Sequence, residues 1–96
     1  MRGVIKSFGD KQTERLWSSM DPGKLSTEIQ QRALNKLAML NHSADLNDLR
    51  IPPSNRLEAL KGDRKGKFSI RINQQWRICF RWENGDAHEV VIEDYH

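Results

Sequence analysis

The chain of 96 residues has a single cysteine, Cys79, and three histidines, His42, His88 and His96. A lone thiol forms no internal disulfide, and no companion Cys or His stands near it at zinc-ligand spacing, so neither covalent staple of small domains is expected. Apolar stretches are short: none approaches the ~20 residues of a membrane-spanning helix, and Met1 to Phe8 is too short and too polar for a signal peptide. A cytoplasmic protein with no membrane contact follows as the expectation. Walker loops, dinucleotide fingerprints, HExxH pairs and nucleophile elbows are missing too, which removes the usual support for nucleotide-binding, zinc-protease and serine-hydrolase chemistry. No cofactor and no metal are called for. Aromatics are only 7% of the chain, yet three Trp, three Phe and one Tyr among repeated Ile, Leu and Val suffice for a core, so residues 1–96 are read as one folded domain.

Charge is distributed unevenly. Arg50 to Trp82 holds nine Lys and Arg against two acids, and the remainder holds seven against eleven, so a segment of about +7 is set in a background of about −4. Clustered positive charge suits a phosphate-rich partner, although a short run of Lys and Arg on a solvated face has the same composition.

The hydrophobic period locates the elements. Val4, Ile5 and Phe8 predict a short opening strand over Gly3 to Phe8, and Asp10 is placed to cap a helix running from Lys11 to about Met20, stopped by Asp21-Pro22-Gly23. Ser26 or Thr27 caps a longer helix ending near Asn41, with Thr27 and Gln30 spaced as a capping box and Ile29, Ala33, Leu34, Leu37, Ala38 and Leu40 at helical spacing. Asp45 to Arg50 has room for one more turn, and Pro52 to Asn55 reads as a rigid extended spacer. Beyond it the period changes to two, predicting strands over Arg56 to Leu60, Lys67 to Asn73, Trp76 to Trp82 and, after the Asn84-Gly85-Asp86 turn, Ala87 to about Glu93. The fold class is α+β: two N-terminal helices on one face of a small, mainly antiparallel twisted sheet.

Alternation also sorts the charges. With Phe68, Ile70, Ile72, Trp76, Ile78, Phe80 and Trp82 toward the helices, Lys67, Ser69, Arg71, Arg77, Cys79 and Arg81 form a basic open face. Arginines on adjacent strands repel unless an anion relieves them, which favours a nucleic acid there. Glu93-Asp94-Tyr95-His96 adds carboxylates, a phenol and an imidazole. Metal-free RNA cleavage needs such groups beside a cationic patch, to remove the 2′-hydroxyl proton, neutralise the phosphorane and protonate the leaving oxygen. Each residue also has a plainer reading: His96 as a solvated end, Tyr95 as a plug at the core rim, Glu58 as a surface strand acid, Cys79 as a small filler and the Trp residues as core.

Arg56-Leu57-Glu58-Ala59-Leu60-Lys61-Gly62-Asp63-Arg64, Phe68-Ser69-Ile70, Gln75-Trp76-Arg77-Ile78-Cys79-Phe80, Asn84-Gly85-Asp86-Ala87 and Glu93-Asp94-Tyr95-His96 follow one another with familiar spacing, as does Ile5-Lys6-Ser7-Phe8 earlier. The chain resembles the HigB toxins, a branch of the RelE/ParE superfamily of bacterial type II toxin-antitoxin systems. The resemblance implies a RelE-like, microbial-ribonuclease-like fold, ribosome-dependent endonucleolytic cleavage of mRNA, and neutralisation by a HigA-type helix-turn-helix antitoxin. Operator DNA would be met only indirectly, through the toxin-antitoxin complex. It matches Lys61 and Arg77 to basic active-site residues and Asp94, Tyr95 and His96 to the catalytic cluster. Some relatives have His where this chain has Glu58, so the base is Glu58 or His96, the acid His96 or Tyr95, Lys61 and Arg77 stabilise the phosphorane, and Asp94 orients the cluster. Arg64, Lys65, Lys67, Arg71 and Arg81 are the expected RNA contacts. Two other functions fit the same scaffold: a ParE-like toxin that poisons a protein such as gyrase without catalysis, and a small basic RNA- or DNA-binding module.

Overall fold

The structure is a computed structural model that describes residues 3–19, 21, 23 and 25–94. Helix α1 (Lys11–Ser19) begins where Asp10 Oδ1 accepts from the Thr13 N–H at 2.8 Å, and helix α2 (Thr27–Asn41) begins at Ser26, whose hydroxyl accepts from the Ile29 N–H. The cap is therefore Ser26, not a Thr27–Gln30 box. Strands β1 (Glu58–Ala59), β2 (Lys67–Arg71), β3 (Trp76–Glu83) and β4 (Asp86–Asp94) form an antiparallel sheet in the order β1-β2-β3-β4. The register of β2 on β3 sets Phe68 opposite Phe80 and Ile70 opposite Ile78, so each hydrophobic pair falls on the helix side, as the alternation requires.

The core lies between that face and the helices. Leu16, Leu37, Leu40, Leu49, Ile70, Ile78, Phe80 and Val90 are fully buried, with Trp17, Trp76 and Trp82 packed around them. Burying one such side chain contributes about 1.5–3 kcal/mol, and the two helices supply three of the eight.

Three expected elements differ. The opening segment pairs with the free edge of β4 in parallel, but only as isolated bridges, Ile5 to Ala87 and Phe8 to Val90. Between them β4 bulges: Glu89 adopts φ 54° and gives its N–H to Ser7 Oγ at 2.9 Å, which interrupts the backbone ladder. The strand expected over Arg56 to Leu60 shrinks to two residues, because Arg56 is left-handed, with φ 46° and ψ 57°. The spacer before it is not extended but a short 3-10 turn, Pro53–Asn55, that follows another at Leu46–Arg50. This turn inserts Asn55 into the core, where its side-chain NH2 donates to the Leu49 carbonyl and to Met39 Sδ, both at 3.1 Å. No helix among the described residues is long and apolar enough to cross a membrane.

Candidate functional site

On the open face the cross-strand rows read Lys67–Arg81, then Glu58–Ser69–Cys79–Val91, then Arg71–Arg77–Glu93. Arg77 stands at the centre. It is only 6% exposed, its Nε donates to Ser69 Oγ at 2.9 Å, and its Nη2 donates to the Arg56 carbonyl at 2.8 Å. The left-handed backbone of Arg56 belongs to the segment that turns this carbonyl toward the sheet. The same Nη2 lies 3.2 Å from Glu58 Oε1, and the Glu58 side chain is 54% exposed. The sheet thus presents a carboxylate at its surface, backed by a guanidinium that is itself fixed by two hydrogen bonds.

The other cations of this face are not left to repel one another. Arg64, from the 3-10 turn Gly62–Arg64, grips Glu93 with a two-pronged pair at 3.1 and 2.5 Å. Arg81 pairs with Glu83 at 2.7 Å and with Glu89 at 3.2 Å, and Lys67 lies 3.8 Å from the same Glu89 carboxylate. The expectation that strand arginines need an external anion is corrected here: Glu58 of β1, Glu83 of β3 and Glu89 and Glu93 of β4 do that neutralising. Hydrogen bonding to Arg81, helped by the charge of Lys67, holds the Glu89 carboxyl below its ordinary range, and the hydrogen bond to Glu93 raises the Arg64 guanidinium above its own. Beneath the Arg64–Glu93 pair lies the Cys79 thiol, 1% exposed, which burial and then the Glu93 charge push up to about 11. A thiol so protonated is a filler, not a nucleophile.

The expected site residues are only partly gathered. Glu58 and Arg77 are in contact, while Lys61 and Lys65 are exposed at either end of the Gly62–Arg64 turn. Arg71 turns its Nε to the Asn73 carbonyl at 3.0 Å. Asp94 lies in register with Trp76, on the helix side of the sheet, and accepts from Gln75 Nε2 at 3.1 Å. Tyr95 and His96 lie outside the described residues. Glu93, named in the acidic cluster but given no role there, occupies the open-face position opposite Arg77. Counting from the Asn84-Gly85 turn, with Trp82 opposite Ala87, would have put Ile92 there; the Glu89 bulge adds one residue and brings Glu93 into place.

A two-helix layer on a four-stranded antiparallel sheet is the fold of RelE-like toxins, and the Glu58–Arg77 pair lies on its uncovered face. The YoeB-YefM complex from Staphylococcus aureus shares the fold at a TM-score of 0.62, with 17% identity, covering 100% of this chain and 99% of the other. The YoeB/ParE toxin from Agrobacterium tumefaciens matches at 0.53 and 17%, over the whole of both chains. In sequence, residues 6–96 match the family described as RelE-like toxin of type II toxin-antitoxin system HigB. Toxin HigB-1 of Vibrio cholerae is 36% identical over 89 residues, 92% of this chain and 94% of that protein. Endoribonuclease HigB of Proteus vulgaris is 32% identical over 93 residues, 97% and 100% of the two chains. The chain belongs to the HigB-like toxin family of type II toxin-antitoxin systems.

Proposed function

We propose that this toxin is an endoribonuclease that cuts ribosome-bound mRNA without a metal ion and so arrests translation in the cytoplasm. The observation that carries the reading is the Glu58–Arg77 pair, a surface carboxylate 3.2 Å from a fixed guanidinium. Glu58, 3.2 Å from Arg77, accepts the 2′-hydroxyl proton; His96 is the other candidate for this step. The 2′-oxygen bonds to phosphorus, the bond from phosphorus to the 5′-oxygen breaks, and His96 or Tyr95 protonates that oxygen, leaving a 2′,3′-cyclic phosphate and a 5′-hydroxyl. Arg77 and Lys61 offset the phosphorane charge, the task a metal would otherwise perform. Asp94 orients the residues after it, and Arg64, Lys65, Lys67, Arg71 and Arg81 hold flanking phosphates, with Glu83, Glu89 and Glu93 released as RNA takes their partners. A HigA-type helix-turn-helix antitoxin neutralises the toxin, and operator DNA is reached only through that complex. An antitoxin partner accords with the YoeB-YefM complex that shares the fold.

The test is induction of the wild type and of Glu58→Gln, followed by mapping of mRNA 5′ ends. Cleavage inside translated frames that falls at least about a hundredfold in the variant is expected. Growth arrest with intact mRNA and altered DNA supercoiling would replace this reading with the gyrase-poisoning one. Purified toxin should cleave mRNA on ribosomes at an unchanged rate after chelator treatment, with free magnesium then restored to the level the ribosome needs; a requirement for any other metal ion refutes the metal-free step.

A further inference from the structure

At the edge of the open face, a cleft of about 770 Å³ lies between α2, the Pro53–Asn55 turn and the turn joining β2 to β3, lined in part by Arg32, Lys36 and Arg71. Its remaining walls are Asn35, Ser54, Asn73 and Gln74 with Met39 and Ile72, and among the described residues no acid lines it. This contrasts with the open face, where Arg64, Lys67, Arg77 and Arg81 each meet a carboxylate. Among the described residues the Arg32 side chain has neither a hydrogen bond nor an ion pair, and Lys36 lies one helical turn from it on the same face.

The cationic groups are also held in place. Lys36 Nζ donates to Asn55 Oδ1 at 2.5 Å, and Asn55 is fully buried and anchored to Leu49 and Met39. Arg71 is tethered through its Nε to the Asn73 carbonyl, and the Asn73 side chain in turn accepts from the N–H groups of Gln75 and Trp76, which fixes the turn. Burial, and then the nearby charge of Arg32, lower the Lys36 pKa, and an anion between the two would offset that repulsion. Three cations with hydroxyl and amide neighbours converge from three sides of the cleft, an arrangement that suits the tetrahedrally disposed oxygens of a phosphate better than a planar carboxylate.

We propose that this cleft is a phosphate-binding site, separate from the Glu58–Arg77 pair. Its occupant is a phosphodiester of an RNA backbone or a free phosphate group. The RNA source rests on the nuclease reading above, since Arg71 pairs in register with Arg77 and so joins the cleft to the open face.

The full-length chain, 15N-labelled and at low ionic strength, is titrated first with inorganic phosphate and then with a 2′-O-methylated single-stranded RNA that cannot be cleaved. Saturable shifts are expected at the Arg32 and Arg71 Nε resonances and at the Asn73 and Gln74 amides. Arg32→Ala, at an exposed helix position, should fold as the wild type does and weaken phosphate binding about tenfold, as should Arg71→Gln. With RNA as the source, the oligonucleotide displaces phosphate, and in Arg32→Ala the logarithmic salt dependence of its binding falls by about 0.7, as one backbone phosphate goes unneutralised. With free phosphate as the source, phosphate saturates the cleft and the oligonucleotide does not displace it. The proposal is overturned if neither ligand moves these resonances, or if a polyglutamate peptide moves them as strongly, which would mark the cleft as a surface for an acidic protein. Glu58→Gln should leave the titration unchanged, so a failure of the nuclease reading and a failure of the cleft are told apart.

Discussion

Replacing Arg77 by alanine removes a buried guanidinium that donates to Ser69 Oγ at 2.9 Å and to the Arg56 carbonyl at 2.8 Å. Hydrogen bonds from a charged donor contribute about 1.5–3 kcal/mol each, and the substitution also strands two acceptors with little access to water. The pair with Glu58 adds at most about 1 kcal/mol, because that carboxylate is 54% exposed and screened by solvent. The expected loss is about 3–6 kcal/mol, a large share of the ~5–15 kcal/mol that holds a small domain together. At about 4–8 °C per kcal/mol for a domain near this size, Tm should fall by at least ~12 °C. Urea unfolding checks it through the shift in midpoint at constant slope. Ser69→Ala should cost only about 1–2 kcal/mol, since it removes one of the two bonds, and Arg77→Lys should fall between, because one ammonium cannot span both acceptors. A loss below about 1 kcal/mol for Arg77→Ala would refute the idea that the guanidinium ties the Arg56 segment to the sheet. Activity is then best compared in Arg77→Lys at a temperature where it remains folded, with single-turnover cleavage expected to drop on the order of a hundredfold.

Cys79 should resist alkylation at neutral pH. Because its folded pKa of about 11 exceeds the ordinary 9.0, its contribution to stability is present below pH 9 and is lost as pH rises toward 11, by about 2–3 kcal/mol in all; Cys79→Ala should flatten that slope in unfolding curves. Asn55→Ala should cost about 2–4 kcal/mol by equilibrium unfolding, leaving the Leu49 carbonyl and Lys36 without their buried partner. At Glu89, with φ 54°, glycine should unfold no earlier than the wild type and valine a few degrees earlier in a thermal melt, since a β-branched residue resists the left-handed region; equal melting of the two would refute the assigned backbone.

Much of the fold was legible in the sequence because it follows from period and caps. The apolar spacing of α2, the Asp10 and Ser26 hydroxyl or carboxylate caps and the alternation from Lys67 to Trp82 each encode local geometry directly. The Asn84-Gly85 turn announces itself as well, with φ 54° and 80° at residues suited to them. Nothing comparable marks Arg56 or Glu89, whose positive φ values are carried by residues that rarely adopt them. The pairing of Glu93 was not legible for that reason: it stands in the acidic cluster the sequence shows, but the register that brings it opposite Arg77 depends on the Glu89 bulge. The cleft was hidden for another reason. Arg32 and Lys36 lie outside the basic Arg50 to Trp82 segment, among nearly as many acids, and only the packing of α2 against the Pro53–Asn55 and β2–β3 turns sets them beside Arg71.

The parallel bridges between the opening segment and β4 have a consequence for when the molecule comes into being. The hydrogen bond between Ser7 and Glu89 joins residues 82 apart, and β4 is the strand that places Glu93 opposite Arg77. An N-terminal fragment that stops short of β4 can form its helices, but the opening segment keeps only the bonds of the Val4 and Ile5 N–H groups to Asn41, and there is no completed sheet against which to pack it. Contacts of such long sequence separation form late, after local helices and hairpins. A chain interrupted during its own synthesis would therefore carry neither the ordered open face nor the Arg64–Glu93 clasp, so the nascent polypeptide becomes a toxin only as its final strand closes against its first residues.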